Sequence, residues 1–168
     1  PGEYCNTLSA FLDYFKHDKG FKLDLAERTF SSRYKKYKGE DLNGKSVLVC
    51  RMGGLGDVIA SQVVVKYLKS RYPKCKIVYA TSGTSAYIIN NFWPKGLVDK
   101  VVLIPFPAEI LDITNYQIFF EGLIERSRDS GRYYTHQLFL MACYPEVEIT
   151  PEFIHQYLPE LVLQPEIV

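Results

Sequence analysis

"VLVCRMGGLGDVIASQVVVKYLKSRYP", residues 47–73, is the stretch that decides the fold. An apolar, β-branched run from Val47 to Cys50 enters a loop holding Gly53, Gly54 and Gly56, and Asp57 follows at once. The next residues, "DVIASQVVVKYLKSRY", carry helical spacing and stop at Pro73. A continuous apolar strand is what a sheet covered on both faces requires. A strand that feeds a glycine loop and then a helix presents backbone amides to an anionic or polar ligand. Glycine suits positive φ and close approach of a ligand to the backbone, and the loop is read as supplying both. The spacing is neither G-x-G-x-x-G nor a loop ending in Lys-Ser/Thr, which demotes dinucleotides and P-loop ligands. The plain alternative is a tight turn in which Asp57 only caps the following helix.

Downstream the alternation continues. "KIVYA" is a second strand and "TSAYIINNFW" a short helix stopped at Pro94. "KVVLI" is a third strand, closed by "PFP", and "YQIFF" a fourth. "EGLIERSRDSGRYYTHQLFLMAC" carries one or two helices broken near Gly131, and "TPEFIHQYL" has Thr150 as cap with Pro151 in the first helical position. Strands alternating with helices imply right-handed crossovers and a parallel sheet, with the 46–51 strand in its interior. Glu121 opens a helix after the fourth strand, at the crest where such sheets bind ligands, and is a candidate acceptor contact.

Upstream, residues 1–44 read as a helical arm. "NTLSAFLDYFKH" places Leu8, Phe11, Leu12 and Phe15 at helical spacing. "LDLAERTFSSRYKKYK" is expected to be a second helix, its last cations (Arg33, Lys35, Lys36, Lys38) at the favourable C-terminal pole. The division is therefore arm 1–44, α/β domain 45–160, and linker or tail 161–168.

Composition narrows the function classes. Among 168 residues the net charge is +1, which makes no case for nucleic acid or a membrane surface. Thirteen tyrosines suit a sugar-contact surface or a core. The four cysteines show no pairing and, with the three histidines, no metal-ligand spacing, so no metal and no cofactor are expected. A reducing compartment fits, and the cytoplasm is the expected location. No apolar run approaches a membrane span and no signal peptide opens the chain, although peripheral membrane contact stays open. A first residue of Pro1 reads as a processed product or a piece of something longer.

"R-M-G-G-L-G-D", with the helix behind it ending in "S-R-Y-P", resembles the start of the ADP-heptose–lipopolysaccharide heptosyltransferases and their relatives. Their Arg-x-Gly-x-x-Gly-Asp pattern falls on Arg51, Gly53, Gly56 and Asp57, and their later Leu-x-x-x-x-Pro on Leu68 and Pro73. "LVDKVVLIPF" and "NYQIFFEGLIE" look like the third and fourth strands of that family. "GGLGDV" is also similar to the glycine loop of glycogen and starch synthases, with Arg51 in place of their lysine. Both resemblances imply half of a GT-B fold: a Rossmann-like parallel sheet with flanking helices. They imply transfer of a sugar from a nucleotide-sugar donor to a glycan or lipopolysaccharide-type acceptor. Asp57 takes the role of base, and Arg51, Gly53, Gly54 and Gly56 contact substrate; for Arg51 the plain alternative is a salt bridge to Asp57 within the turn. The chain departs from the pattern at Val63, where the family carries proline, and at Gln117, where it carries aspartate. It also lacks room for the second, donor-binding domain, which is expected as a missing C-terminal partner. The competing expectation is a Rossmann-like module without catalysis that binds or scaffolds within a larger assembly.

Overall fold

Val47, Val49 and their neighbours Leu48 and Cys50 are completely buried, as a strand covered on both faces must be. They form β1 (Ser46–Cys50). A computed structural model describes residues 8, 11–12, 23–52, 54–120, 134–143 and 148–163. In it β1 is followed by α-helices at Leu55–Ala60 and Gln62–Arg71, strand Lys76–Thr81, helix Gly83–Phe92, strand Lys100–Leu103 and strand Tyr116–Phe119. With helix Leu23–Arg33 as α1, these are α2, α3, β2, α4, β3 and β4. Helices α5 (Thr135–Met141) and α6 (Pro151–His155) follow.

The sheet order is β3-β2-β1-β4, and every neighbouring pair is parallel. This is a Rossmann-like α/β fold with β1 in the interior. In register, Val47 sits level with Ile77 and Tyr116, and Val49 with Tyr79 and Ile118. Successive residues of a strand point to opposite faces, so these register-matched positions share one face. They pack with Val63, Val64 and Leu68 of α3, Trp93, and Phe139 of α5. The alternate set, Leu48, Cys50, Val78, Ala80 and Phe119, packs on the other face against Leu8, Phe11, Leu12, Phe30, Phe106 and Leu111. The N-terminal stretch expected as an arm therefore covers a sheet face. Phe11 lies 4.8 Å, ring to ring, from Phe119 and 5.5 Å from Phe106. The rest of this cover comes from a 3-10 helix, Ala108–Ile113, that the sequence pattern did not announce.

Three local expectations are corrected. The helix expected through Lys38 ends at Arg33. Beyond it Lys36 forms a parallel bridge with Gln117, so residues 35–37 run along the outer edge of β4. The Lys35 carbonyl accepts from Gln117 N at 2.9 Å, and Tyr37 N donates to Gln117 O at 3.0 Å. Edge pairing wins because it satisfies backbone groups that an open edge would leave bare. Of the four cations only Arg33 sits in the last helical turn, where it pairs with Glu109 and Asp112. The single helix expected after the glycine loop is two, interrupted at Ser61. Ser61 Oγ donates to Val58 O at 2.6 Å and lies 2.5 Å from Tyr79 OH, so its hydroxyl competes for helical carbonyls. Thr150 caps α6 as expected, its side chain accepting from Phe153 N at 3.1 Å. The helix break expected near Gly131 lies outside the described residues.

After α6 the chain runs back over α3 and α4. The Gln62 amide exchanges two hydrogen bonds with the Glu160 backbone, at 2.9 and 2.8 Å, and Val162 N donates to Phe92 O. Among the described residues no helix is long and apolar enough to cross a membrane, and no cluster of His, Cys, Asp and Glu could hold a metal.

Candidate functional site

From β1 the chain moves outward to β2 and β3 and then returns to place β4 on the opposite flank of β1. This reversal puts the topological switch point at the carboxyl ends of β1 and β4, the position where open α/β sheets bind ligands. Both the glycine loop and the exit of β4 lie there.

Arg51, the first residue after β1, ties this end together. Its N–H donates to Ala80 O at 3.1 Å, and its carbonyl accepts from the buried Thr81 hydroxyl at 2.7 Å. Its guanidinium turns toward β4, where Nη1 donates to Phe120 O at 2.9 Å. Phe120 N in turn donates to Cys50 O at 2.9 Å. From the same guanidinium, Nη2 donates to Asp57 Oδ2, also at 2.9 Å. The Arg51 side chain is 1% exposed and that of Asp57 34%. A cation buried to this degree needs a counter-charge, because the effective desolvation cost is several kcal/mol. Asp57 supplies the charge and keeps one side in water.

The alternative that Asp57 caps its helix does not hold. The N-cap of α2 is Gly54, with φ −60° and ψ 157°, and no side chain caps this end. Asp57 lies in the first turn, its N–H donating to Gly54 O at 3.1 Å, and its carboxylate faces Arg51. The glycines also differ from expectation. Gly54 has negative φ, and Gly56 lies within α2 rather than among the positive-φ glycines, which among the described residues are Gly39, Gly44 and Gly96. A Cβ added at Gly54 or Gly56 would meet nothing within 4 Å. Neither backbone conformation nor internal packing demands glycine at these two positions. Gly53 and Glu121 lie outside the described residues.

The structure thus brings together Arg51, Gly54, Gly56 and Asp57. Sequence reasoning missed Thr81 and the Phe120 carbonyl, the two groups that fix Arg51. A polar residue closing the apolar run "KIVYAT" was the one visible signal for Thr81.

No protein-family model matches the sequence, and no curated protein matches it. A solved structure titled the glycosyl transferase family 9 from Veillonella parvula DSM 2008 is similar over 39% of this chain and 18% of that chain. The two are 20% identical there, with a TM-score of 0.35. The matched part is therefore under a fifth of that protein's length.

Proposed function

We propose that this end of the sheet is the acceptor side of a sugar-transfer site. The observation that carries the reading is a one-third-exposed carboxylate, Asp57, anchored by a buried arginine at the switch point of the sheet. The sequence motif around it, with its resemblance to heptosyltransferase-like enzymes, supplies the reaction class. In that reaction an acceptor hydroxyl oxygen forms a bond to the anomeric carbon of a nucleotide sugar. The bond from that carbon to the diphosphate breaks, and the nucleoside diphosphate leaves with the electron pair. Asp57 takes the hydroxyl proton. Attack from the face opposite the leaving group inverts the configuration.

Arg51 is assigned to orienting Asp57 rather than to touching substrate, since its guanidinium is buried and engaged on two sides. Gly54 and Gly56, with Gly53, give oxygen atoms room beside the backbone, and Glu121 is kept as an acceptor contact. The proposed organisation is an arm over 1–44, the acceptor-side domain over 45–160, and a tail over 161–168. A donor-binding domain completes the enzyme, the acceptor is a glycan of lipopolysaccharide type, and the location is cytoplasmic.

The test is transfer by the full-length protein from a panel of ADP- and UDP-sugars to glycan acceptors. Acceptor-dependent release of nucleoside diphosphate supports the reading. Full-length protein that neither binds nor turns over any donor contradicts it and favours a non-catalytic binding module.

A further inference from the structure

A cavity of about 210 Å³ opens at the amino end of β3, the opposite end of the sheet from the glycine loop. It lies between the last turn of α4, the following turn and the start of β3, and its lining includes Asn90, Trp93, Lys95, Asp99 and Lys100. The volume equals that of about seven waters at ~30 Å³ each. Gly96, at φ +88°, shapes the turn that carries Lys95, a conformation other residues rarely adopt.

The charges around this cavity are unevenly matched. Asp99 is already engaged: Oδ2 accepts from Lys69 Nζ and Ile77 N, both at 2.8 Å, and Oδ1 faces Lys76 at 3.8 Å. Lys95 and Lys100 form no ion pair among the described residues. Trp93, 3% exposed, has a buried Nε1–H with no hydrogen-bond partner. The wall therefore offers two uncommitted cations, and its one carboxylate is spoken for. We propose that this cavity binds a small dianion, a phosphate ester or a dicarboxylate, between Lys95 and Lys100. The site is independent of the Asp57 region and does not rest on the transferase reading.

Trp93 is the single tryptophan of the chain, so one indole ¹H–¹⁵N resonance reports on this wall. The experiment titrates the protein with inorganic phosphate and with succinate, against chloride at matched ionic strength. The expected result is a saturable indole shift with a millimolar midpoint, for which ~4 kcal/mol suffices. Replacing both exposed lysines (Lys95→Ala, Lys100→Ala) should raise that midpoint at least ~10-fold, about the loss of 1.4 kcal/mol. A response to phosphate alone assigns the phosphate-ester class, and one to succinate alone the dicarboxylate class. No saturable shift with either anion, the same shift with chloride, or an unchanged midpoint in the double variant would overturn the proposal.

Discussion

Arg51 and Asp57 form an ion pair at 2.9 Å in which the cation is almost fully buried and the anion is one-third exposed. The asymmetry has an energetic consequence. The arginine depends on the pair to remain buried, whereas the carboxylate would still be solvated without it. Replacing Arg51 by methionine should therefore destabilise the fold mainly through the Phe120 carbonyl left without its donor and the loss of the link between β1 and β4. The expected cost is about 2–4 kcal/mol, combining a broken buried pair with an unsatisfied carbonyl. Urea unfolding measures it, and a change below about 0.5 kcal/mol, typical of surface sites, would refute the role.

Gly56→Ala separates stability from ligand access. The added Cβ meets nothing within 4 Å, and the residue is helical, so alanine should stabilise by about 0.5 kcal/mol. The same methyl group intrudes on the space assigned to substrate, and transfer by the full-length protein should fall. A variant with higher melting temperature and full activity would remove Gly56 from the site.

Gln117 stands where the resembling family carries aspartate, and the structure shows why a carboxylate would fail here. The side chain is fully buried. Its Nε2 donates toward Leu111 O, Thr114 O and Thr114 Oγ1, while Oε1 accepts from Lys35 N. An amide can do both, but an ionised carboxylate can only accept. Gln117→Glu should cost about 2–4 kcal/mol, because carbonyls lose their donor and a charge is buried against them. An equilibrium unfolding curve superimposable on wild type would contradict this.

Acid should weaken the packing of α3 on β2 through Asp99. Burial alone would raise this carboxyl, but it is outweighed by the Lys69 hydrogen bond, the Ile77 N–H and the charges of Lys69 and Lys76. Its pKa is therefore held below the ordinary carboxylate value. A depressed folded-state pKa contributes stability that is present above the unfolded value, near ~3.9, and is lost as pH falls through the folded one. Asp99→Asn should thus be less stable than wild type at neutral pH, and the gap should close on acidification. A gap that stays constant to about pH 2 would show that the contribution is not ionic.

How much of this was legible in the chain differs from element to element. The strands were readable because Val47–Cys50, Ile77–Ala80 and Gln117–Phe119 are buried on both faces and so appear as unbroken apolar runs. Residues 35–37 were misread as helix because their partner, Gln117, lies 82 positions away from Lys35. Local spacing carries no trace of such a contact. The break at Ser61 depends on Tyr79 beneath it, which is again a tertiary effect. At the site, the glycine loop and Asp57 could be located, but the burial of Arg51 could not. An arginine after a strand looks exposed until Thr81 and the Phe120 carbonyl are in place around it.

The central claim is that Asp57 removes a proton, and Asp57→Asn in the full-length protein tests it most directly. Asparagine keeps an oxygen for Arg51 and disturbs no cap, since Gly54 holds that position. The variant leaves the buried Arg51 cation without its counter-charge, so it should unfold cooperatively but with a loss of about 3–5 kcal/mol. Sugar transfer should fall by ~100-fold or more with substrate binding little changed, the scale expected for losing a general base. A folded Asn variant that transfers sugar at a near-normal rate would leave Asp57 as no more than the counter-ion of Arg51.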